Sequence, residues 1–204
     1  MSRWKRISLL IIFTLIFGII AFFHESRLGK WIDNEVYEFI YSSESFITTT
    51  IFLGVTKIGE VWAMVCLSLL LIAYLMLKRL NIEALFFAIA MGLSSTLNPL
   101  LKNIFDRERP TLLRLIDISG FSFPSGHAMG SAAFFGSTMY IANRVMKGKS
   151  KAFMIGLSAL FIIMISTSRV YLGVHYPTDI IAGIIGGAFC VILSTLILRH
   201  KLQI

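Results

Sequence analysis

Three short stretches of this chain concentrate residue types that can do chemistry. They are 102–110 (Lys-Asn-Ile-Phe-Asp-Arg-Glu-Arg-Pro), 124–127 (Pro-Ser-Gly-His) and 168–179, which opens with Ser168-Arg169 and continues to His175 and Asp179. Lys102, Arg109 and Arg169 can surround a tetrahedral oxyanion, because each guanidinium fork binds two oxygens while the ammonium acts as a point charge. Ser125 precedes an apolar run and suits a helix N-cap, so the free backbone N–H groups around Gly126 and His127 would lie at the positive end of a helix dipole. Gly126 carries no side chain to hold an anion away from that backbone.

Cleavage of a phosphate ester has a use for both histidines. A neutral imidazole attacks phosphorus in line when a carboxylate holds its other nitrogen, fixes the tautomer and stabilises the cation that forms. His175 with Asp179 fits that role, and Pro177 is tolerated in the first turn of a helix that would start there. His127 is then the general acid for the leaving alkoxide, a contribution typically about 10²- to 10⁴-fold.

Taken singly, other polar residues read more plainly. Lys57, Arg107 and Arg114 read as anchors whose charged heads snorkel to the interface. His24 and His200 read as solvated interfacial histidines, and Glu60 and Asp106 as helix-end or loop charges balancing nearby cations. Cys66 and Cys190 fall within apolar runs and read as inert buried thiols. Gly126 with Gly130, and Gly183 with Gly187, are small-xxx-small pairs. Close helix packing is the expectation for Gly130, Gly183 and Gly187.

The elements that must position these residues are membrane helices. With 56% hydrophobic and 15% charged residues in a chain of 204, there is more apolar surface than a soluble domain of this size can bury against itself. A crossing takes roughly 20 mostly apolar residues, and runs of about that length fall at 7–23, 61–77, 84–101, 128–145, 152–167 and 178–198. The fold class expected is therefore an all-α integral membrane protein of six transmembrane helices, forming a single domain over 1–204. The first run follows a basic start, but His24-Glu25-Ser26 offers no small-x-small cleavage site, so it reads as a retained span. Between the first two runs, Trp31, Ile32, Val36, Phe39 and Ile40 recur at helical spacing, predicting a short amphipathic interfacial helix with Trp31, Tyr37 and Tyr41 at headgroup depth.

Charge sets the orientation. The formal net charge of +8 comes in short clusters between apolar runs, without the interleaved aromatics of a nucleic-acid surface, so no nucleic acid is expected as a partner. Arg3, Lys5, Arg6, Lys78, Arg79, Arg144, Lys147, Lys149, Lys151, Arg199 and Lys201 fall on one side of the bilayer, opposed only by Glu83. By the positive-inside rule both termini are cytoplasmic in a cell membrane, and all three polar stretches meet at the outer face.

In their order and spacing, Lys-x6-Arg-Pro, Pro-Ser-Gly-His and Ser-Arg-x5-His-x3-Asp resemble the tripartite signature of the type 2 phosphatidic acid phosphatase superfamily. That superfamily includes membrane lipid phosphatases, glucose-6-phosphatase and vanadium haloperoxidases, and every signature position is present. The resemblance implies a phosphohistidine formed on His175 with help from Asp179, protonation of the leaving group by His127, and phosphate binding by Lys102, Arg109, Ser125, Gly126 and Arg169. It implies no metal and no cofactor, and the sequence has no leftover cluster of carboxylates or histidines to hold magnesium or zinc. Small bacterial members with an outward site act on phosphatidylglycerophosphate and undecaprenyl pyrophosphate, so the expected partner is a phosphorylated membrane lipid, with phosphatidate as a further candidate and no obligate protein partner. The competing expectations are a vanadate-dependent haloperoxidase and a non-catalytic anion or lipid transporter.

Overall fold

The computed structural model describes residues 2–111 and 114–198. Arg199, His200 and Lys201, which the sequence assigns to the cytoplasmic side, lie outside the described residues. Eight helices follow one another among the described residues: α1 (Arg3–Phe23), α2 (Arg27–Tyr41), α3 (Phe46–Ile58), α4 (Val61–Leu77), α5 (Asn81–Phe105), α6 (Gly126–Val145), α7 (Gly148–Tyr171) and α8 (Pro177–Ile197). Several starts are capped by a hydroxyl accepting a backbone N–H three residues on, Ser26 from Gly29 at 3.1 Å and Ser45 from Thr48 at 3.1 Å.

By length and apolar character, α1, α5, α7 and α8 can each cross a bilayer, and α3 with α4 makes a fifth candidate if that pair, bent by 56° at its break, counts as one. The sequence reading of six spans is thus met by four or five. The segment 61–77 is a helix as expected, but at 17 residues it is short and continues α3 across the bend. The stretch before it contains α3 as well as the expected α2.

The remaining expected span, α6, is a helix of 20 residues that is less apolar than the other four because its partners are protein. It packs against α5, α7 and α8 at the centre of the bundle, where Ala128, Ser131, Ala132, Ala133 and Ser137 are buried. A helix surrounded by other helices needs small residues that allow close approach more than it needs hydrocarbon-like side chains. Gly183 and Gly187 of α8 meet this helix as their spacing predicts, since a Cβ on Gly187 would stand 2.5 Å from the Met129 carbonyl oxygen. Gly130 does not: a Cβ there would have no neighbour within 4 Å, and the residue faces a cavity.

The bundle has two distinct ends. At one, Arg6 is buried and donates to the Thr195 carbonyl in the last turn of α8 at 2.9 Å, and Arg144 pairs with Glu83 at 3.3 Å. At the other end lie the C-terminus of α5, the N-terminus of α6, the C-terminus of α7 and the N-terminus of α8, which carry the three polar stretches. Both helix N-termini there bring positive dipole ends to the same place.

Two side chains differ from their sequence reading. Cys66 is exposed on α4, because a helix at the edge of a bundle shows its apolar residues outward as well as inward; Cys190 is buried as expected. His24 is buried rather than solvated. Its ring stacks on Phe123 with centroids 4.9 Å apart, and Nδ1 lies 2.8 Å from the Ala21 carbonyl.

Candidate active site

Lys102, Arg109, Gly126, His127, Arg169 and His175 line one cavity of about 930 Å³. These six come from the three polar stretches of the sequence, and the fold brings them to one cavity. Ser125 and Asp179, the other two expected site residues, are fully buried behind it. The Ser125 hydroxyl accepts the Ala128 N–H at 3.4 Å as the cap of α6, and the Ser125 N–H donates to the Asp179 carbonyl at 3.0 Å. The turn before α6 is thereby joined to the first turn of α8.

The cationic residues are held at different depths. Arg169 is 1% exposed and donates to the Thr56 hydroxyl of α3 at 2.5 Å, while its Nε has no hydrogen-bond partner. Arg109 is half-buried. Its Nε donates to the Gly120 carbonyl at 2.8 Å and its Nη1 to the Val174 carbonyl at 2.9 Å. Lys102 donates to the Phe121 carbonyl. The segment 119–121 therefore supplies carbonyl oxygens to two members of the set. His127 Nε2 is buried without a partner among the described residues. Buried polar atoms are nearly always paired in a folded protein, so unpaired nitrogens on Arg169 and His127 in the same cavity are suited to a polar ligand.

The tautomer of His175 follows from its neighbours. Arg109 Nη1 lies 3.0 Å from His175 Nε2, and a guanidinium can only donate, so Nε2 holds a lone pair and Nδ1 holds the proton. On the Nδ1 side stand Ser122 Oγ at 3.2 Å and Asp179 Oδ2 at 3.4 Å. Ser122 Oγ donates to the same Oδ2 at 2.5 Å, and the Tyr176 N–H donates to it at 2.8 Å. The hydroxyl of Ser122 thus bridges a His–Asp pair that is itself rather long. Ser122 is absent from the sequence reading, which stopped at Pro124; a second serine two residues upstream was the available signal.

Arg107 is the main departure. It is not a snorkelling anchor but a buried side chain, with Nη1 2.6 Å from Asp179 Oδ1 and Nη2 2.8 Å from Asp33 Oδ2. Asp33 belongs to α2 and is 1% exposed. The expected amphipathic helix exists, but it docks through Gly29, Asp33, Tyr37 and Ile40 while Leu28, Trp31 and Phe39 point outward. Asp33, which lies outside the apolar spacing of Trp31, Ile32, Val36, Phe39 and Ile40, is turned inward by a cation supplied from elsewhere in the chain. Arg114 also departs, donating to the Pro110 carbonyl and, at 3.4 Å, to that of Arg109. Lys57 is exposed in the last turn of α3. Glu60 precedes α4 at the cavity rim, and Asp106 ends α5 in a left-handed conformation.

Burial lowers the pKa of His175 to about 4 from the ordinary value near 6.5; hydrogen bonding and charge from Asp179 pull the other way without prevailing. Burial disfavours the imidazolium, so the ring stays neutral as pH falls until well below 6. Nitrogen-15 NMR of the labelled protein is expected to show a neutral His175 protonated at Nδ1 at pH 5.5, where an ordinary histidine is mostly charged. A charged ring at that pH would contradict the lone pair assigned to Nε2.

Phosphatidylglycerophosphatase B of Bacillus subtilis (strain 168) is 30% identical over 132 residues, which cover 64% of this chain and 65% of that protein. The match therefore spans just under two thirds of that relative's length. An undecaprenyl-diphosphatase of Sulfolobus acidocaldarius is 24% identical over 194 residues, covering 94% of this chain and 88% of its own. In three dimensions the chain is similar to the crystal structure of a transmembrane PAP2-type phosphatidylglycerolphosphate phosphatase from Bacillus subtilis, with a TM-score of 0.86 and 24% identity. That likeness covers 95% of this chain and 97% of the other, and it concerns the fold. Residues 83–202, which hold all three polar stretches, match the PAP2 superfamily, and the chain belongs to that family.

Proposed function

We propose that this protein is a metal-independent phosphatase of phosphorylated membrane lipids, acting through a phosphohistidine on His175. The observation that carries the reading is the continuity of one cavity. Its polar end holds Lys102, Arg109, Arg169 and both histidines, and its other end runs between α4 and α5 along Val61, Met64, Val65, Leu69 and Met91. From Lys102 to Met91 is eleven helical positions, about 16 Å at 1.5 Å per residue. Such a groove suits a hydrocarbon tail lying alongside the helices while its phosphate sits among the cations. A soluble sugar phosphate has no use for it.

Lys102, Arg109 and Arg169 gather the phosphate oxygens, and Arg109 moves its donor from His175 Nε2 to the substrate. His175 Nε2 attacks phosphorus as the bond to the leaving oxygen breaks, and His127, which takes up a proton once the phosphate's negative charge stands beside it, supplies that oxygen with a proton. Asp179 stabilises the positive charge that appears on the ring. His127, now neutral, takes a proton from water, which attacks the phosphohistidine and releases inorganic phosphate. Charge on the equatorial oxygens is met throughout by the cations and by the N–H groups at the start of α6. Ser125 contributes by capping that start.

The chain is one domain over 1–204, with α6 completing six crossings, both termini on the cytoplasmic face of the cell membrane and the site at the outer face. The separation of the two ends supports this orientation, since Arg6, Arg79, Arg144 and Lys147 lie at the end remote from His175. Phosphatidylglycerophosphate and undecaprenyl pyrophosphate are the substrates proposed first, from the relatives' names, with phosphatidate third.

Purified protein in detergent, held in excess chelator, is expected to release phosphate from these three lipids in mixed micelles, to ignore glucose 6-phosphate, and to be blocked by vanadate. Release that depends on an added divalent cation would remove the mechanism. Release from the sugar phosphate at a rate equal to the lipids would remove the role of the groove.

A further inference from the structure

Arg107 has no part in the steps above, yet its charge lies against the carboxylate behind the nucleophile. Asp179 offers two oxygens. Oδ2 takes the hydroxyl of Ser122 and the N–H of Tyr176 and faces His175; Oδ1 takes Arg107 Nη1 at 2.6 Å. The same Nη1 donates to the Thr178 hydroxyl at 2.8 Å, and Nη2 donates to Asp33 Oδ2 at 2.8 Å. Asp33 also accepts the Thr178 N–H at 2.8 Å and the Thr178 hydroxyl at 2.9 Å. The guanidinium carbon lies 3.9 Å from the centroid of the Tyr176 ring. A carboxylate from α2, a guanidinium from the loop after α5 and the first turn of α8 make one closed polar unit.

Stability alone is a poor account of it. Taking three charges out of water is expensive, and a buried ion pair can often be replaced by apolar side chains with no loss. Nor does α2 need Asp33 to dock, since Tyr37 and Ile40 already pack against Ala128, Val170 and Ile180. What the arrangement does accomplish is to divide one guanidinium between two buried carboxylates, with the exposed Glu25 as a longer partner at 3.7 Å from Nε. Asp179 keeps a fixed orientation and surrenders only part of its negative charge.

We infer that Asp33, on the interfacial helix α2, is a positioning residue of the reaction, acting through Arg107 on the orientation and basicity of Asp179. The inference rests on the roles proposed above for His175 and Asp179. With the Asp33 charge removed, Asp179 is the one buried carboxylate left to Arg107, the exposed Glu25 being longer-range with Oε1 3.7 Å from Nε, and Arg107 draws more negative charge away from the His–Asp pair. The imidazolium that forms as His175 attacks is then less well stabilised, and phosphorylation slows. Binding of the lipid, which takes place on the other side of His175, is little affected.

The test is rapid-quench measurement of phosphoenzyme formation from radiolabelled phosphatidate in mixed micelles, on the full-length chain and on Asp33→Asn, Asp33→Glu, Arg107→Gln and the double variant Asp33→Asn/Arg107→Gln. Asparagine keeps the shape and an acceptor for the Thr178 N–H, so Asp33→Asn changes charge more than packing. It is expected to lower the phosphorylation rate by about 10- to 100-fold, the range found where outer partners orient a liganding group, with KM little changed. Asp33→Glu, which restores the charge on a longer arm, is expected to recover part of that rate. Because Asp33 acts through Arg107, the double variant should be no slower than Arg107→Gln alone. In Asp33→Asn the His175 ring should also titrate at lower pH, a shift that loosened packing does not produce. The inference is overturned if Asp33→Asn phosphorylates at the wild-type rate, if Asp33→Glu is as slow as Asp33→Asn, or if the two single losses multiply in the double variant. A wild-type chain that forms no phosphoenzyme overturns the phosphohistidine reading first, and this inference with it.

Discussion

Replacing His175 by alanine is expected to abolish both turnover and the trapping of an acid-labile phosphoenzyme. The ring is buried, its Nε2 lone pair faces the cavity beside Arg109, and its Nδ1 is backed by Ser122 and Asp179. Among the described residues that line the cavity, no other side chain combines a lone pair with a carboxylate partner that can stabilise the resulting cation. Loss of a nucleophile backed in this way costs about 10⁶-fold in a serine protease, and a loss of that order is expected here. Quenching into alkaline detergent, in which a phosphohistidine survives, after mixing with radiolabelled substrate reads the outcome directly. Label that still becomes attached to the His175→Ala protein would mean that another group attacks phosphorus.

His127→Ala is expected to give a different signature. Its Nε2 is buried without a partner in the same cavity, and the ring is braced by Gly59 at the bend between α3 and α4, where a Cβ would stand 2.6 Å from Cδ2. On a lipid phosphate, whose leaving alkoxide needs a proton, the variant should lose about 10²- to 10⁴-fold in kcat. On p-nitrophenyl phosphate, whose leaving phenolate needs none, phosphorylation of His175 should persist. The second half of the cycle should still stall, because nothing deprotonates the attacking water. Stopped-flow absorbance should therefore show a burst of nitrophenolate close to one per enzyme, followed by slow turnover. An equal loss on both substrates with no burst would assign the leaving-group proton to another residue.

The two predictions concern residues that the sequence already marked, and the reason is local. His127 follows a capping serine and a glycine in consecutive positions, and His175 lies a fixed short distance from Asp179 across a helix start. Chemistry built on a helix N-terminus is written in contiguous residues, so spacing carries it. Lys102, Arg109 and Arg169 were legible as a set, since they fall in the same short polar stretches as the histidines or next to them in order along the chain. Arg107 had the same local appearance as Lys57 and Arg114, and nothing within ten residues distinguished them. Its buried carboxylate partners are Asp33 and Asp179, more than seventy positions away in either direction.

Hydropathy was informative about lipid-facing surface and less so about α6, whose neighbours are other helices. The same limit applies to Cys66 and Gly130, whose apolar or small character does not say which neighbour a helix face will meet. His24 needed a partner from the loop before Pro124 to be drawn inside.

By itself the sequence determined the all-helical membrane character of the chain, the segments that carry chemistry, and the roles those residue types can take, because each depends on composition or on contiguous spacing. Only the tertiary structure decided which charges are buried together. It turned Asp33 inward, set Arg107 between two carboxylates and placed Ser122 against the His–Asp pair, since pairing across the bundle depends on where whole helices come to rest.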